Sequence, residues 1–187
     1  MNLYVLRHAS AGTRRLNPIL DLKRPLDKEG KEQCLRLAHL LRAMKVSFDL
    51  VLSSPLKRAL QTAQFVATET GYETQIVLSN GLLPEAGFAD FQKMLLGVNG
   101  SENVLVVGHN PNLQAFLGGL LIPPDQAIAG KGIPQIRLRK GTLARVSLGH
   151  PAQGKSPAML LSVLDPRIVR TLYATSTTRS RRKTSRK

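Results

Sequence analysis

The chain has 187 residues, 27 Lys and Arg against 12 Asp and Glu, and a formal net charge of +15. That length holds one domain, or a domain plus a tail, with a core large enough to fold without metal or disulfide staples. A hydrophobic fraction of 42% excludes wholesale disorder, and no apolar run approaches the ~20 residues that span a bilayer.

The opening MNLYVLRH is a short apolar run cut off by Arg7, without the basic start, long apolar centre and small-residue cleavage site of a secretory signal. One cysteine, Cys34, excludes an internal disulfide. A soluble protein of the reducing cytoplasm is expected.

In chain order, Asn2 to Leu6 predicts a short buried strand ending at Arg7-His8. From Asp27, a good N-cap, Cys34, Leu37, Ala38, Leu41 and Met44 recur at helical spacing and predict a helix to about Lys45. Leu50 to Leu52 is a second strand. Ser54-Pro55 reads as an N-cap followed by proline at the first helical position, with Ala59, Ala63, Val66 and Ala67 continuing an apolar face to Gly71. Gln75 to Leu78 is a weaker strand, and Phe88 to Leu96 a helix. Asn103 to Val107 is an unbroken apolar strand, followed by a helix from Pro111 to about Leu121. Ile122 to Gly141 reads as a connecting loop. Strands at Thr142 to Leu148 and Ala158 to Val163 and a short helix from Asp165-Pro166 complete a domain over residues 1–174. Apolar strands alternating with helices predict α/β architecture, a three-layer α/β/α sandwich on a mostly parallel sheet.

The last thirteen residues, Thr175 to Lys187, are all Ser, Thr, Arg or Lys and have nothing to bury, so a disordered basic tail is expected. It carries six positive charges, which leaves +9 on the preceding 174 residues. The tail could make a weak, nonspecific contact with a polyanion. No aromatic is interleaved in it for base stacking.

In parallel sheets, ligands bind beyond the carboxyl ends of the strands. Here those ends deliver Arg7 and His8, then Ser53, Ser54 and Arg58, then His109 and Asn110. Two arginine forks suit phosphoryl oxygens, and adjacent helix N-termini add backbone donors. Arg7 beside His8 disfavours a divalent metal and lowers the imidazole pKa, favouring a neutral ring that can attack phosphorus. No metal or organic cofactor is called for. His39, inside an amphipathic helix, and His150, in a Gly/Pro turn, lack such partners and read as structural.

Four blocks carry a resemblance: LRHASA (Leu6 to Ala11), DLKRPLDKEG (Asp21 to Gly30), SSPLKRALQTA (Ser53 to Ala63) and VVGHNPNL (Val106 to Leu113). In this order and spacing they resemble the histidine phosphatase superfamily, the phosphoglycerate-mutase-like group, over roughly residues 1–172. Arg7-His8-Ala9 followed by Ala11, in place of the usual Arg-His-Gly, is similar to the SixA-type branch of small phosphohistidine phosphatases. The resemblance implies that His8 is a nucleophile that becomes transiently phosphorylated, that Arg7 and Arg58 hold phosphoryl oxygens, and that His109 stabilises the transition state. Asn110 and Ser53 would be further pocket residues. Glu85, in LLPEAGF, aligns with the general acid, and Asp90 is an alternative.

An imidazole is a better leaving group than an alkoxide, so weak acid catalysis would favour phosphohistidine over phosphate esters. The roughly 50 residues between Arg58 and His109 leave room for little lid, which suits a phosphohistidine-bearing protein as substrate. A small sugar or nucleotide phosphate is the alternative, and a polyanion- or nucleic-acid-binding role through the tail is a third. Arg14, Arg15, Lys23 and Arg24 could form a basic rim facing a phosphorylated partner, with Arg24 equally suited to anchoring its loop.

Overall fold

The computed structural model describes residues 1–98, 100–122, 135–149 and 158–174. Its centre is a six-stranded sheet of β1 (Asn2–Arg7), β2 (Leu50–Ser53), β3 (Val77–Leu78), β4 (Asn103–Gly108), β5 (Leu143–Ser147) and β6 (Met159–Leu164), in the order β3-β2-β4-β1-β5-β6. The pairings β1 with β4, β4 with β2 and β2 with β3 are parallel. β5 runs antiparallel to both β1 and β6, so β6 points the same way as the parallel strands. Eleven residues separate β5 from β6, too few for a crossover helix of the kind that parallel neighbours need.

The described residues form helices α1 (Pro18–Leu22), α2 (Lys28–Ala43), α3 (Lys57–Glu69), α4 (Phe88–Leu96), α5 (Asn112–Leu121) and α6 (166–174), of which α2 and α3 cover one face of the sheet and α4 and α5 the other. Alternate residues of each central strand face opposite layers. Leu3, Val5, Val104 and Val106 pack with Phe91, Phe116 and Leu117 of α4 and α5. Tyr4, Leu6, Leu105 and Val107 pack with Leu37 and Leu41 of α2 and Ala63 and Val66 of α3. Apolar cover on both sides explains why β1 and β4 are nearly all apolar rather than alternating. The expected α/β/α sandwich is the observed one.

Three local expectations need correction. α3 starts at Lys57, with Leu56 at the N-cap and no side-chain cap; Ser54 lies before the helix because a residue preceding proline is driven to extended backbone. β3 is only two residues long. The loop after β1 contains α1, whose Asn17 side chain accepts from the N–H groups of Ile19 and Leu20, with Pro18 opening the turn.

Asp27 caps α2 as expected, with Oδ1 accepting from the Gly30 N–H at 2.7 Å. Its other oxygen accepts from the Ser10 hydroxyl and the Gly12 N–H, each at 2.7 Å, so one carboxylate ties the loop after β1 to the start of α2. The approach is close: a Cβ at Gly30 would lie 1.9 Å from the Ser10 carbonyl oxygen. Gly12, at φ +64°, then turns the chain out of that contact. Among the described residues no helix is long and apolar enough to cross a membrane. His150 and the basic tail, residues 175–187, lie outside the described residues.

Candidate active site

β2, β4 and β1 are adjacent in the sheet, so their carboxyl ends come together, with Arg7 paired to Gly108 and Ser53 to Val107. His8 and His109, each one residue past its strand, are buried with ring centroids 4.9 Å apart. Arg58, in the first turn of α3, is buried beside them. Arg7, His8, Arg58, His109, Asn110 and Glu85 all line one cleft of about 910 Å³.

A backbone carbonyl fixes the state of the His8 ring. His8 Nδ1 lies 2.8 Å from the Ala9 carbonyl oxygen. A carbonyl only accepts, so the neutral ring carries its proton on Nδ1 and keeps a lone pair on Nε2. His109 Nε2 lies 2.9 Å from Ser54 Oγ. That hydroxyl also accepts from the Leu56 N–H; where it gives its own proton to His109 Nε2, the neutral ring carries its proton on Nδ1. Burial pushes the His8 pKa down to about 3 against the opposing Ala9 hydrogen bond, with Arg58, Arg7 and Lys140 adding to the effect. Burial likewise takes His109 to about 2, followed by the influence of His8, Arg58 and Arg7. The sequence pointed to the neighbouring cations as the cause; desolvation is the larger one.

Arg7 Nη1 donates to the Leu138 carbonyl at 2.9 Å, and Arg58 Nη1 to the Asp21 carbonyl at 3.0 Å. The Asp21 carboxylate lies 3.6 Å from Arg58 and 2.8 Å from Arg24. Burial opposes that charge, but the Arg15 N–H and the Arg24 and Arg58 guanidiniums outweigh it and hold the Asp21 pKa below the usual carboxylate value. Arg24 also donates to the carbonyls of Ala11 and Gly12, so it anchors its loop. Among the described residues, four cleft groups are buried without a hydrogen-bond partner: Arg7 Nε, Arg58 Nε, His109 Nδ1 and Asn110 Oδ1. A fifth, Arg145 Nε, belongs to a guanidinium over the Tyr4 ring outside the cleft. Unspent donors cost about 1–3 kcal/mol each, and two guanidinium Nε–H groups gathered beside two neutral imidazoles are matched to an anion rich in acceptor oxygens.

The remaining expected residues separate. Ser53 is fully buried, with its hydroxyl donating to the Ser54 carbonyl, and does not line the cleft. Asn110 is in the wall, its amide donating to Gln114 and to the Leu138 carbonyl. Glu85 stands exposed at the rim. Asp90 accepts from the Gly87 N–H at the start of α4 and is not in the cleft. His39 lies 3.5 Å from Glu69, away from the site. Asp21 and Lys140 were not singled out from the sequence as site residues. Ser54 was legible as a helix cap and as a group at the strand ends, without its tie to His109, and Lys140 reaches the cleft because the loop before β5 donates its Gly141 N–H to the Arg7 and His8 carbonyls. Among the described residues no three His, Cys, Asp or Glu side chains gather as a metal site.

The model of the histidine phosphatase superfamily (branch 1) matches residues 3–97, half of the chain. The chain belongs to the histidine phosphatase superfamily. It is 31% identical over 131 residues to the phosphohistidine phosphatase SixA of Escherichia coli, covering 67% of this chain and 76% of that protein. Its fold matches that of a protein histidine phosphatase SixA complexed with tungstate, with a TM-score of 0.73 at 23% identity over 90% of this chain and 99% of the other. An alpha-ribazole phosphatase from Shigella flexneri matches with a TM-score of 0.64 at 19% identity, over 89% and 97% of the two chains. The histidine phosphatase match takes in Arg7, His8, Arg58 and Glu85 and ends before β4, which brings His109.

Proposed function

We propose that this histidine phosphatase removes a phosphoryl group from a phosphohistidine-bearing protein through a covalent intermediate on His8. The observation that carries this reading is the state of His8: buried, neutral, its Nδ1 committed to the Ala9 carbonyl, and its Nε2 lone pair free beside two guanidiniums. Similarity to the Escherichia coli phosphohistidine phosphatase supports the choice of substrate.

In the first step His8 Nε2 attacks phosphorus, the new N–P bond forms, and the P–N bond to the substrate breaks, with that imidazole keeping the bond electrons and taking a proton from solvent. Arg7, Arg58 and the His109 Nδ1–H lie where charge develops on the phosphoryl oxygens. Phosphorylated His8 is cationic, and its Nδ1–H bond to the Ala9 carbonyl stabilises that charge. Water then attacks phosphorus, the N–P electrons return to Nε2, and inorganic phosphate leaves. Guanidiniums supply the positive charge, so the scheme calls on no metal ion.

A second reading, hydrolysis of a small phosphate ester, draws on Glu85, which lines the cleft and could protonate an alkoxide. His8→Ala should abolish turnover and acid-labile phosphoryl labelling of the enzyme together; retained turnover would remove the mechanism. A wild-type kcat/KM higher for phosphate esters than for a phosphohistidine protein would overturn the substrate.

A further inference from the structure

α1 is inverted relative to an ordinary surface helix, which buries its apolar residues and exposes its polar ones. None of its residues is buried. Leu16, Ile19, Leu20 and Leu22 are 103%, 64%, 57% and 51% exposed, whereas Asp21 faces inward to Arg24, Arg58 and the Arg15 N–H. The helix is therefore held in place by the carboxylate and the backbone carbonyl of Asp21, and presents leucine and isoleucine to solvent. Arg14, Arg15 and Lys23, all exposed, flank this apolar strip. The strip is continuous with the cleft, since Leu16, Pro18 and Leu22 line both.

We infer that α1 and the turn at Leu16 form a docking platform for the protein that delivers the phosphoryl group, engaging an apolar patch bordered by Asp or Glu side chains next to its phosphohistidine. The inference rests on the phosphohistidine reading of the site and adds the surface that selects the donor. Apolar side chains exposed in this number beside a binding cleft mark a contact surface, and the flanking cations specify the sign of the partner. Two other occupants fit less well. A second copy of this chain would bring Arg14, Arg15 and Lys23 against themselves, and a lipid surface on the strip would cover the cleft mouth.

The test compares the wild type with the Ile19→Ser, Leu20→Ser double variant, neither residue being in the cleft wall. Their backbone N–H groups, not their side chains, meet Asn17, so the turn is retained. Two probes are used: free phosphohistidine and an acidic carrier protein phosphorylated on histidine. The expected result is a loss of about tenfold or more in kcat/KM for the phosphoprotein, with free phosphohistidine unchanged. Added salt should lower the phosphoprotein value more than that of free phosphohistidine. Equal loss for both probes, or for neither, would overturn the platform while leaving the phosphatase reading standing; no wild-type turnover of either probe would remove that reading and the platform with it. Sedimentation with phosphatidylserine vesicles and analytical ultracentrifugation complete the test. Loss of vesicle binding or of dimers in the variant, without the phosphoprotein defect, would assign the strip to lipid or to self-association instead.

Discussion

Lowering the pH from 7 to 5 should strip stability from this protein through His8 and His109. Each has a folded-state pKa far below its ordinary value of 6.5, about 3 for His8 and about 2 for His109. The unfolded chain takes up protons below pH 6.5 while the folded site refuses them, so stability is complete above that value and is lost as the pH falls toward the folded pKa values. Each histidine then costs about 2 kcal/mol between pH 7 and pH 5, and the two together about 4 kcal/mol, at roughly 1.4 kcal/mol per proton per pH unit. Against a typical domain stability of about 5–15 kcal/mol this is a large fraction. Asp21, Asp27 and Asp165, whose pKa values are lowered, lose their contributions only below pH 4, outside the window. Urea unfolding followed by far-UV circular dichroism at pH 7, 6 and 5, in buffers free of phosphate and sulfate, measures the slope. The double variant His8→Asn, His109→Asn should flatten it. A midpoint that holds steady across the window, or one that falls as steeply in the double variant, would refute the neutral, buried state of the two rings.

Ser54→Ala removes the hydroxyl that fixes His109; kcat should fall by about ten- to a hundredfold with little change in KM, as steady-state kinetics would show. Gly30→Ala places a methyl 1.9 Å from the Ser10 carbonyl oxygen, and despite the better helix propensity of alanine it should cost roughly 2–4 kcal/mol in urea unfolding. Cys34 is buried and its thiol pKa is raised to about 12, chiefly by desolvation. It should resist Ellman's reagent at pH 8 in the folded protein and react promptly in denaturing urea; fast reaction of the native protein would contradict its placement.

Arg7, His8 and His109 were legible because each apolar strand stops on them, and an apolar run that ends in a cation or an imidazole marks a strand end with little ambiguity. Arg58 needed the block around it, since a lone arginine in a first helical turn has no periodic signature. Of the neighbours Ser53 and Ser54 the sequence reading favoured Ser53 for the pocket, but pleat parity past a strand end depends on where the ladder stops, and it is Ser54 that meets His109. The Leu138 carbonyl and Lys140 were invisible for a different reason. They reach the site only because β5 lies antiparallel against β1, a long-range pairing that local pattern does not encode. α1 is five residues long, too short for helical periodicity, although Asn17-Pro18 carried its start signal.

The double grip of Asp27 divides the entrance into two mechanical parts. Up to Gly12 the chain is clamped to α2, and His8 sits on the clamped side. Beyond Gly12, α1 is attached through Asp21 to Arg24 and Arg58. A bulky substrate pressing on the entrance would shift α1 before it disturbed the nucleophile. Substrates that share a leaving group but differ in shape should therefore differ more in how fast they associate and dissociate than in the rate of the phosphoryl transfer itself.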